Sequence, residues 1–162
     1  MPDDRPRQRR HPLDRLARSH ERLREQLAAL SELGRAAEID LEGLADIAAW
    51  FSGPSARHEA DEEESLFPRL RGAAIDDELR VLLERLAEQH HVHARLEAEL
   101  ASARTVAEVA SVAAKMDEAY RAHMDLEEQR LFPTARAILT ESDFEAISTE
   151  MEARRGRDAS KP

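Results

Sequence analysis

Residues 58–68 read H-E-A-D-E-E-E-S-L-F-P, and residues 123–133 read H-M-D-L-E-E-Q-R-L-F-P. Both stretches match the pattern H-x-x-x-E-E-x-x-L-F-P, with identical residues at its six specified positions. Four residues turn an α-helix by about 400°, or about 40° net, so the histidine and the first glutamate share a helix face. The repeat therefore brings two imidazoles and two carboxylates to helical spacing, a set of side chains suited to metal binding.

Apolar residues on both sides of the repeat recur every three or four positions, which predicts amphipathic helices. A first helix carries leucines from Leu13 onward and ends near Gly34. A second apolar series begins at Leu41. We expect Gly53-Pro54 to interrupt it, after which the chain resumes as the helix that carries the first copy of the repeat.

The second half of the chain predicts two more long helices and a short one. A third helix begins near residues 76–77, where acidic side chains suit a helix N-terminus. Thr105 and Glu108 have the spacing of a capping box at the start of the fourth helix. We expect Pro133 to kink or end that helix, and Ser142 to cap a shorter final helix.

Short connections make neighbouring helices antiparallel. The fold class that we predict is therefore all-α, an up-down-up-down four-helix bundle with a short C-terminal helix. A chain of 162 residues is long enough for one domain with its own core. We expect a basic, disordered N-terminal tail over residues 1–11, the bundle over residues 12–140, and a terminal helix with a basic tail over residues 141–162.

Composition excludes several classes of function. The chain has 24 basic and 34 acidic side chains, for a formal net charge of −10, which argues against nucleic-acid binding. The absence of cysteine excludes disulfides, thiolate metal ligands and thiol catalysis. The charged N-terminus lacks an apolar signal region, and no apolar run approaches about 18 residues, so we expect a soluble, cytoplasmic protein that does not bind a membrane.

Each of the four long predicted helices carries a histidine where its apolar stripe predicts a core residue. Two of these helices add a glutamate one turn further along. A single histidine on an apolar face is usually a hydrogen-bonded core residue, and a run of glutamates is usually a solvated face. Burying the whole set without partners, however, would cost several kcal/mol for each unpaired charge. A shared metal centre would compensate that cost. The residues concerned are His20, His58, Glu62, His90, His123 and Glu127.

The number of ligands favours two ions over one. Six protein ligands exceed what one tetrahedral zinc ion needs. Two divalent ions would bring a charge of +4, which the two glutamates and a bridging hydroxide or oxide could reduce. Mixed imidazole and carboxylate ligation suits iron, manganese or zinc, and spacing alone does not choose among them. His93, three residues after His90, is a candidate fifth imidazole, whereas His91 points about 100° away and His11 belongs to the basic N-terminal stretch.

These residues resemble the hemerythrin-like, or HHE cation-binding, family over roughly residues 13–139. The two copies of the repeat carry the resemblance, and residues 19–23 (S-H-E-R-L) and 88–92 (E-Q-H-H-V) fit the family's two single-histidine positions. The resemblance implies a non-heme di-iron centre, with an oxo or hydroxo bridge, inside a four-helix bundle. The ligands that it implies are His20, His58, Glu62, His90, His123 and Glu127.

Two positions depart from this pattern or leave it open. Oxygen-carrying hemerythrins have a second histidine four residues after the one in the third helix, and that position here is Ala94. His93 or a water molecule would take its place, so the resemblance supports di-iron binding more than oxygen carriage. Some members place the last carboxylate at the position of Glu128, but Glu127 matches Glu62 better. A ferritin-like site would need Glu-x-x-His on two helices, and this chain has that spacing once, at residues 88–91.

The resemblance implies a protein that binds or senses dioxygen, nitric oxide or a peroxide, with a partner protein for any output. Three alternatives stay open: a di-iron enzyme that consumes peroxide or nitric oxide, a protein that stores or donates iron, and a bundle that uses metal only for stability. No separate catalytic residue is evident, so in an enzyme the metals would carry the chemistry. The oligomeric state is open.

Overall fold

The computed structural model describes residues 10–73 and 76–160, and these residues form helices without any strand. We number five helices along the described chain: α1 (Pro12–Leu33), α2 (41–72), α3 (Asp77–Ser102), α4 (106–138) and α5 (Glu141–Ala159). None of them is long and apolar enough to cross a membrane. Most of the predicted N-terminal tail, residues 1–9, lies outside the described residues.

Two of the helices contain wider, π-helical turns. Helix α2 consists of α-helical Leu41–Trp50, π-helical Phe51–Ser55, α-helical Ala56–Asp61, π-helical Glu62–Leu66 and α-helical Phe67–Gly72. Helix α4 consists of α-helical Val106–Leu126, π-helical Glu127–Leu131 and α-helical Phe132–Ile138. In both copies of the repeat, the first glutamate is thus the first residue of a π-helical turn, a feature that is frequent at functional sites.

Several helix ends lie where the sequence predicts them. Helix α1 ends at Gly34. The carboxylate of Asp76 accepts a 2.9 Å bond from the backbone N–H of Leu79 and caps α3. Thr105 and Glu108 form the predicted capping box at the start of α4. These signals are local, so neighbouring helices do not override them.

The predicted interruption at Gly53-Pro54 was wrong, and Pro133 does not end its helix. Gly53-Pro54 does not interrupt α2, because both residues lie inside a π-helical turn in which the N–H of Ala56 bonds to the carbonyl of Phe51. A π-helical turn already departs from the α-helical bonding pattern, so the N–H that proline lacks costs less there. Pro133 does not end α4, which continues to Ile138. It lies in the first turn of the α-helical segment that follows a π-helical turn, where proline is tolerated.

The last helix also differs from its prediction. Helix α5 has 19 residues and is capped by Thr140 and Asp143 instead of Ser142. The Thr140 hydroxyl accepts from the N–H of Asp143, and the Asp143 carboxylate accepts from the N–H of Thr140. Because α4 runs on past Pro133, only two residues separate α4 from α5, and the cap falls on the second of them.

The core consists of two apolar clusters that lie one after the other along the bundle. Helix α1 passes from the first cluster to the second, α2 from the second to the first, α3 from the first to the second, and α4 from the second to the first. Neighbouring helices therefore run in opposite directions. This arrangement is the predicted up-down-up-down bundle. The first cluster contains Leu13, Leu16, Leu66, Leu70, Leu83, Leu86, Leu131 and Phe132, and the second contains Leu23, Leu27, Leu44, Phe51, Leu96, Leu100, Val112, Met116 and Met124.

Helix α5 packs against α2 through a buried ionic cluster. The guanidinium of Arg154 donates a 2.7 Å bond to Asp61 and a 3.0 Å bond to Glu64, and Arg155 donates a 3.1 Å bond to Asp61. The Asp61 side chain is fully buried and directly precedes Glu62 in the chain. The C-terminal helix is therefore attached beside the π-helical turn that begins at Glu62.

Candidate metal centre

A layer of polar side chains separates the two apolar clusters. His20 lies between Leu16 and Leu23 of α1, and the other helices place their histidines at the matching depth. All seven candidate ligands are buried, and none has more than 5% of its surface exposed. The antiparallel order of the helices therefore brings together residues that are far apart in the sequence. These residues are His20, His58, Glu62, His90, His93, His123 and Glu127.

Six of these side chains form two overlapping groups of potential metal ligands. Within each group, one ligand atom from every residue lies within 4.8 Å of the others. The first group contains His20, His58, Glu62 and Glu127, and the second contains His90, His123, Glu62 and Glu127. The two glutamates belong to both groups, so the two potential cation sites share two carboxylates.

Each shared carboxylate points one oxygen toward each group. Oε1 of Glu62 lies 2.9 Å from Nε2 of His58, and Oε2 lies 3.2 Å from Nε2 of His90. Oε2 of Glu127 lies 3.0 Å from Nε2 of His20, and Oε1 lies 3.3 Å from Nε2 of His123. This is the arrangement that two carboxylates need in order to bridge two cations.

Many of the buried ligand atoms face one another and make no hydrogen bond to a described residue outside the cluster. They are both oxygens of Glu62 and of Glu127, Nε2 of His20, both ring nitrogens of His58, and Nε2 of His93. Buried polar atoms are rarely left in this condition, because each loses its hydration without compensation. Cations between these atoms would satisfy the oxygens and the imidazole lone pairs together. The donor set therefore fits bound metal ions.

A second layer of side chains orients the imidazoles. Nδ1 of His20 donates to Glu128 (2.8 Å), Nδ1 of His90 to Glu63 (2.6 Å), and Nδ1 of His123 to Gln89 (2.9 Å). An acceptor at Nδ1 fixes the proton on that nitrogen and leaves the lone pair of Nε2 facing the cluster. Metal-binding histidines typically have such partners.

The second glutamate of the repeat has the same role in both copies. Glu63 on α2 accepts a hydrogen bond from His90 of α3, and Glu128 on α4 accepts one from His20 of α1, with Arg24 as a further partner at 3.0 Å. Sequence reasoning missed this role, since it treated the glutamate run as a solvated face. The signal was present in the repeat itself, because both copies contain the Glu-Glu pair.

The two buried carboxylates raise the pKa of the surrounding imidazoles. Burial alone would lower the pKa of His90 and His123, but Glu62 beside His90 and Glu127 beside His123 raise these values to about 9 and about 10. The pKa of His20 is raised for the same reason. Burial opposes ionisation of Glu62 and Glu127, yet the adjacent imidazoles hold both carboxyl pKa values below the ordinary range. The site thus attracts positive charge strongly.

His93 lies beside the two groups and outside both. Its Nδ1 donates a 2.8 Å bond to Glu59, its ring stacks on Tyr120 with centroids 3.8 Å apart, and its centroid is 4.9 Å from that of His123. Burial, with the neighbouring imidazoles, lowers the pKa of His93 to about 3, so the ring is neutral. Burial also raises the pKa of Glu59 to about 7.

The other positions considered in the sequence lie outside the two ligand groups. His91 and Ala94 are both exposed, so the residue four positions after His90 faces away from the cluster and the residue three positions after it, His93, faces inward. Glu128 is half-buried and lies outside both ligand groups. His11 caps the N-terminus of α1, where its Nδ1 accepts from the backbone N–H of Leu13.

Comparison with known proteins agrees with this site. The family model described as "Hemerythrin HHE cation binding domain" matches residues 11–135, which include α1, α2, α3, most of α4 and all seven candidate ligands. The comparison with curated proteins gives no match.

Proposed function

Because the chain belongs to the hemerythrin HHE cation-binding family, we propose that it binds two non-heme iron ions and, through them, a small ligand such as dioxygen, nitric oxide or a peroxide. The observation that carries the proposal is the pair of ligand groups that share Glu62 and Glu127. Membership of a cation-binding family and a buried His/Glu cluster able to hold metal support cation binding. The identity and number of the ions and the nature of the ligand are our proposals.

In this proposal, each ion has two imidazole ligands of its own. His20 and His58 would hold one ion, and His90 and His123 would hold the other. Glu62 and Glu127 would be shared by both ions, and an oxo or hydroxo group would complete the charge balance. His93 is a further candidate ligand on the side of His123, because its Nε2 is buried and makes no hydrogen bond to the described residues.

Iron suits this donor set. Non-heme ferrous sites combine histidine and carboxylate ligands and keep open positions for an exogenous ligand, and when bound, iron supplies reversible redox chemistry that zinc does not. The protein would contribute orientation and protection from water. Glu63, Glu128 and Gln89 fix the imidazoles from outside, and the two apolar clusters close the site at both ends.

Sensing fits the site better than iron storage does. The ligands are almost fully buried, which opposes the ready exchange of iron that storage or donation requires. A sensor would pass its state to a partner protein, which we propose as a second component. Repeated turnover of hydrogen peroxide or nitric oxide by the iron-loaded protein would instead make it an enzyme.

The proposal is tested by anaerobic reconstitution with ferrous iron, followed by visible spectroscopy before and after exposure to air and azide. We expect absorption bands of an oxo-bridged ferric pair, and a change in those bands when azide binds. Glu62→Ala and Glu127→Ala should lose the bands, whereas exposed Glu84→Ala on α3 should keep them. An iron-loaded wild-type protein without such bands would contradict the proposal.

A further inference from the structure

A surface groove runs between α3 and α4 beside the candidate metal centre. It has a volume of about 400 Å³. We call this space the α3/α4 groove, and it is bounded by Gln89, Val92, His93, Leu96, Ala119 and Ala122. Lys115 and Glu118 also line it.

The inner wall of the α3/α4 groove belongs to the immediate surroundings of His123. Gln89 accepts the 2.9 Å hydrogen bond from Nδ1 of His123, and the ring centroid of His93 lies 4.9 Å from that of His123. A molecule in the groove is therefore separated from a proposed iron ligand by a single layer of side chains.

The lining of the groove favours an uncharged molecule. Val92, Leu96, Ala119 and Ala122 are apolar, and the nearby ammonium of Lys115 is engaged at 2.6 Å by Glu99. An anion would lose its hydration on such a surface without gaining a free cationic partner, and the carboxylate of Glu118, which also lines the groove, belongs to an exposed residue. Small apolar or weakly polar molecules pay no comparable cost.

His93 forms the barrier between the groove and the cluster. Only 1% of this residue is exposed, although it lines the groove. Its ring is held by the bond from Nδ1 to Glu59 and by stacking on Tyr120, while Nε2 makes no hydrogen bond to the described residues. When His93 does not hold a metal ion, a displacement of its ring would bring the groove up to His123, whose ring centroid lies 4.9 Å away. The contacts with Glu59 and Tyr120 limit how far the ring can move, which favours a molecule of only a few atoms.

We propose that the α3/α4 groove is the entry site for a small uncharged molecule, of the class of dioxygen or nitric oxide, and that His93 is the gate through which it reaches the His90/His123 side of the centre. This inference rests on the proposed function and adds to it the route by which the ligand reaches the centre. Ala119 and Ala122 are the positions on the groove wall where a larger side chain would fill the route, and neither residue belongs to a ligand group.

A first experiment detects the entry site without iron chemistry. The full-length protein, loaded with zinc and labelled at its methyl groups, is compared by NMR under nitrogen and under dissolved dioxygen, which is paramagnetic. We expect larger dioxygen-induced relaxation at the methyl groups of Ala119, Ala122 and Val92 than at the methyl group of exposed Ala114, which lies on the same helix outside the groove. Equal effects at all four positions would overturn the proposal.

A second experiment measures entry into the ferrous protein. The association rate constant for nitric oxide is measured by stopped flow in the wild type, Ala122→Leu, Ala119→Leu and the matched control Ala114→Leu. We expect the two groove variants to bind about tenfold more slowly and the control to bind at the wild-type rate. Iron content and helicity, measured on the same samples, identify a variant that has lost its site or fold. Ala119 is half-buried and Ala122 is exposed. Ala122→Leu therefore serves as the second variant if Ala119→Leu does not fold.

The outcomes separate the entry site from the proposed function. If all four proteins contain iron and bind nitric oxide equally fast, the entry proposal is wrong and the proposed function stands. If the iron-loaded wild-type protein binds neither nitric oxide nor dioxygen, the proposed function fails, and the entry proposal fails with it.

Discussion

The carboxylate of Glu63 accepts a 2.6 Å hydrogen bond from Nδ1 of His90, across the interface between α2 and α3. The same relationship holds between Glu128 and His20 across the interface of α4 and α1, at 2.8 Å. Each copy of the repeat thus supplies one histidine and one glutamate to the cluster, and a second glutamate that orients a histidine of another helix. Two copies related in this way build a site in which all four bundle helices take part.

The outer glutamates should control metal affinity without holding the metal. We expect Glu63→Ala to weaken zinc binding by about 10- to 100-fold, because His90 loses the acceptor that fixes its orientation and tautomer. Glu63→Gln keeps an acceptor oxygen and should recover part of the loss. The measurement is competition with a chromophoric chelator, and exposed Glu84→Ala is the control. Unchanged affinity in Glu63→Ala would show that the 2.6 Å bond has no role at the site.

Metal binding should depend steeply on pH. His90 and His123, with pKa values of about 9 and about 10, must lose their protons before they can bind a metal ion. Affinity should therefore fall as the pH is lowered from 9 to 6, by up to about tenfold per pH unit for each proton displaced. Zinc titrations in buffers of different ionisation enthalpy count the released protons. A pH-independent affinity without proton release would contradict the assignment of these two ligands.

Without metal, the pH dependence of folding stability should have a defined sign. The pKa values of His90 and His123 are raised from the ordinary 6.5, so protonation favours the folded state. This contribution is fully present below pH 6.5 and is lost as the pH rises through about 9 to 10. Urea unfolding of chelator-treated protein at a series of pH values should show stability falling over that range. His90→Gln should flatten the dependence, and an unchanged slope in this variant would exclude His90 as its source.

The close approach of α1 to α4 should make Gly34 sensitive to substitution. A Cβ atom at Gly34 would lie 2.7 Å from the Cα of Ala110, so Gly34→Ala forces two backbone segments apart. We expect a loss of about 1–3 kcal/mol in the free energy of unfolding. The control is Gly156→Ala at an exposed position of α5, where a Cβ atom meets no other atom within 4 Å. Alanine at this position should stabilise the helix by up to about 1 kcal/mol. Equal effects of both changes in urea unfolding would refute the packing argument.

The attachment of α5 should depend on Arg154. This residue and Asp61 form an almost fully buried ion pair, so Arg154→Ala leaves a buried carboxylate whose remaining cationic partner among the described residues is Arg155. We expect a loss of about 3 kcal/mol, and the double change Arg154→Ala with Asp61→Ala should restore part of it. A double-mutant cycle in urea gives the coupling energy. Additive effects, with no coupling, would mean that the pair contributes nothing beyond packing.

The sequence predicts the bundle and the caps because their signals are local or periodic. Apolar spacing identifies the helices, and Asp76 and Thr105 cap them as expected. Pro54 and Pro133 do not end their helices, because π-helical turns accommodate them within continuous helices. Residue propensities do not encode such turns. The extent of α5 was missed as a consequence.

The site shows the same division between local and tertiary information. The repeat singles out the histidines and the inner glutamates, and the structure brings six of them into two ligand groups. The Glu-Glu pair of the repeat singles out Glu63 and Glu128, but their role depends on the neighbouring helices, since their partners lie on α3 and α1. Which atoms bind the metal stays a prediction for experiment.

The number of metal ions per chain tests the central claim most directly. Anaerobic titration of the metal-free protein with ferrous iron, followed by removal of loosely bound iron and elemental analysis, should give two irons per wild-type chain. Glu62→Ala and Glu127→Ala should each retain fewer, because both carboxylates belong to both ligand groups. One iron per wild-type chain, or two irons retained in both variants, would contradict a centre in which two cations share Glu62 and Glu127.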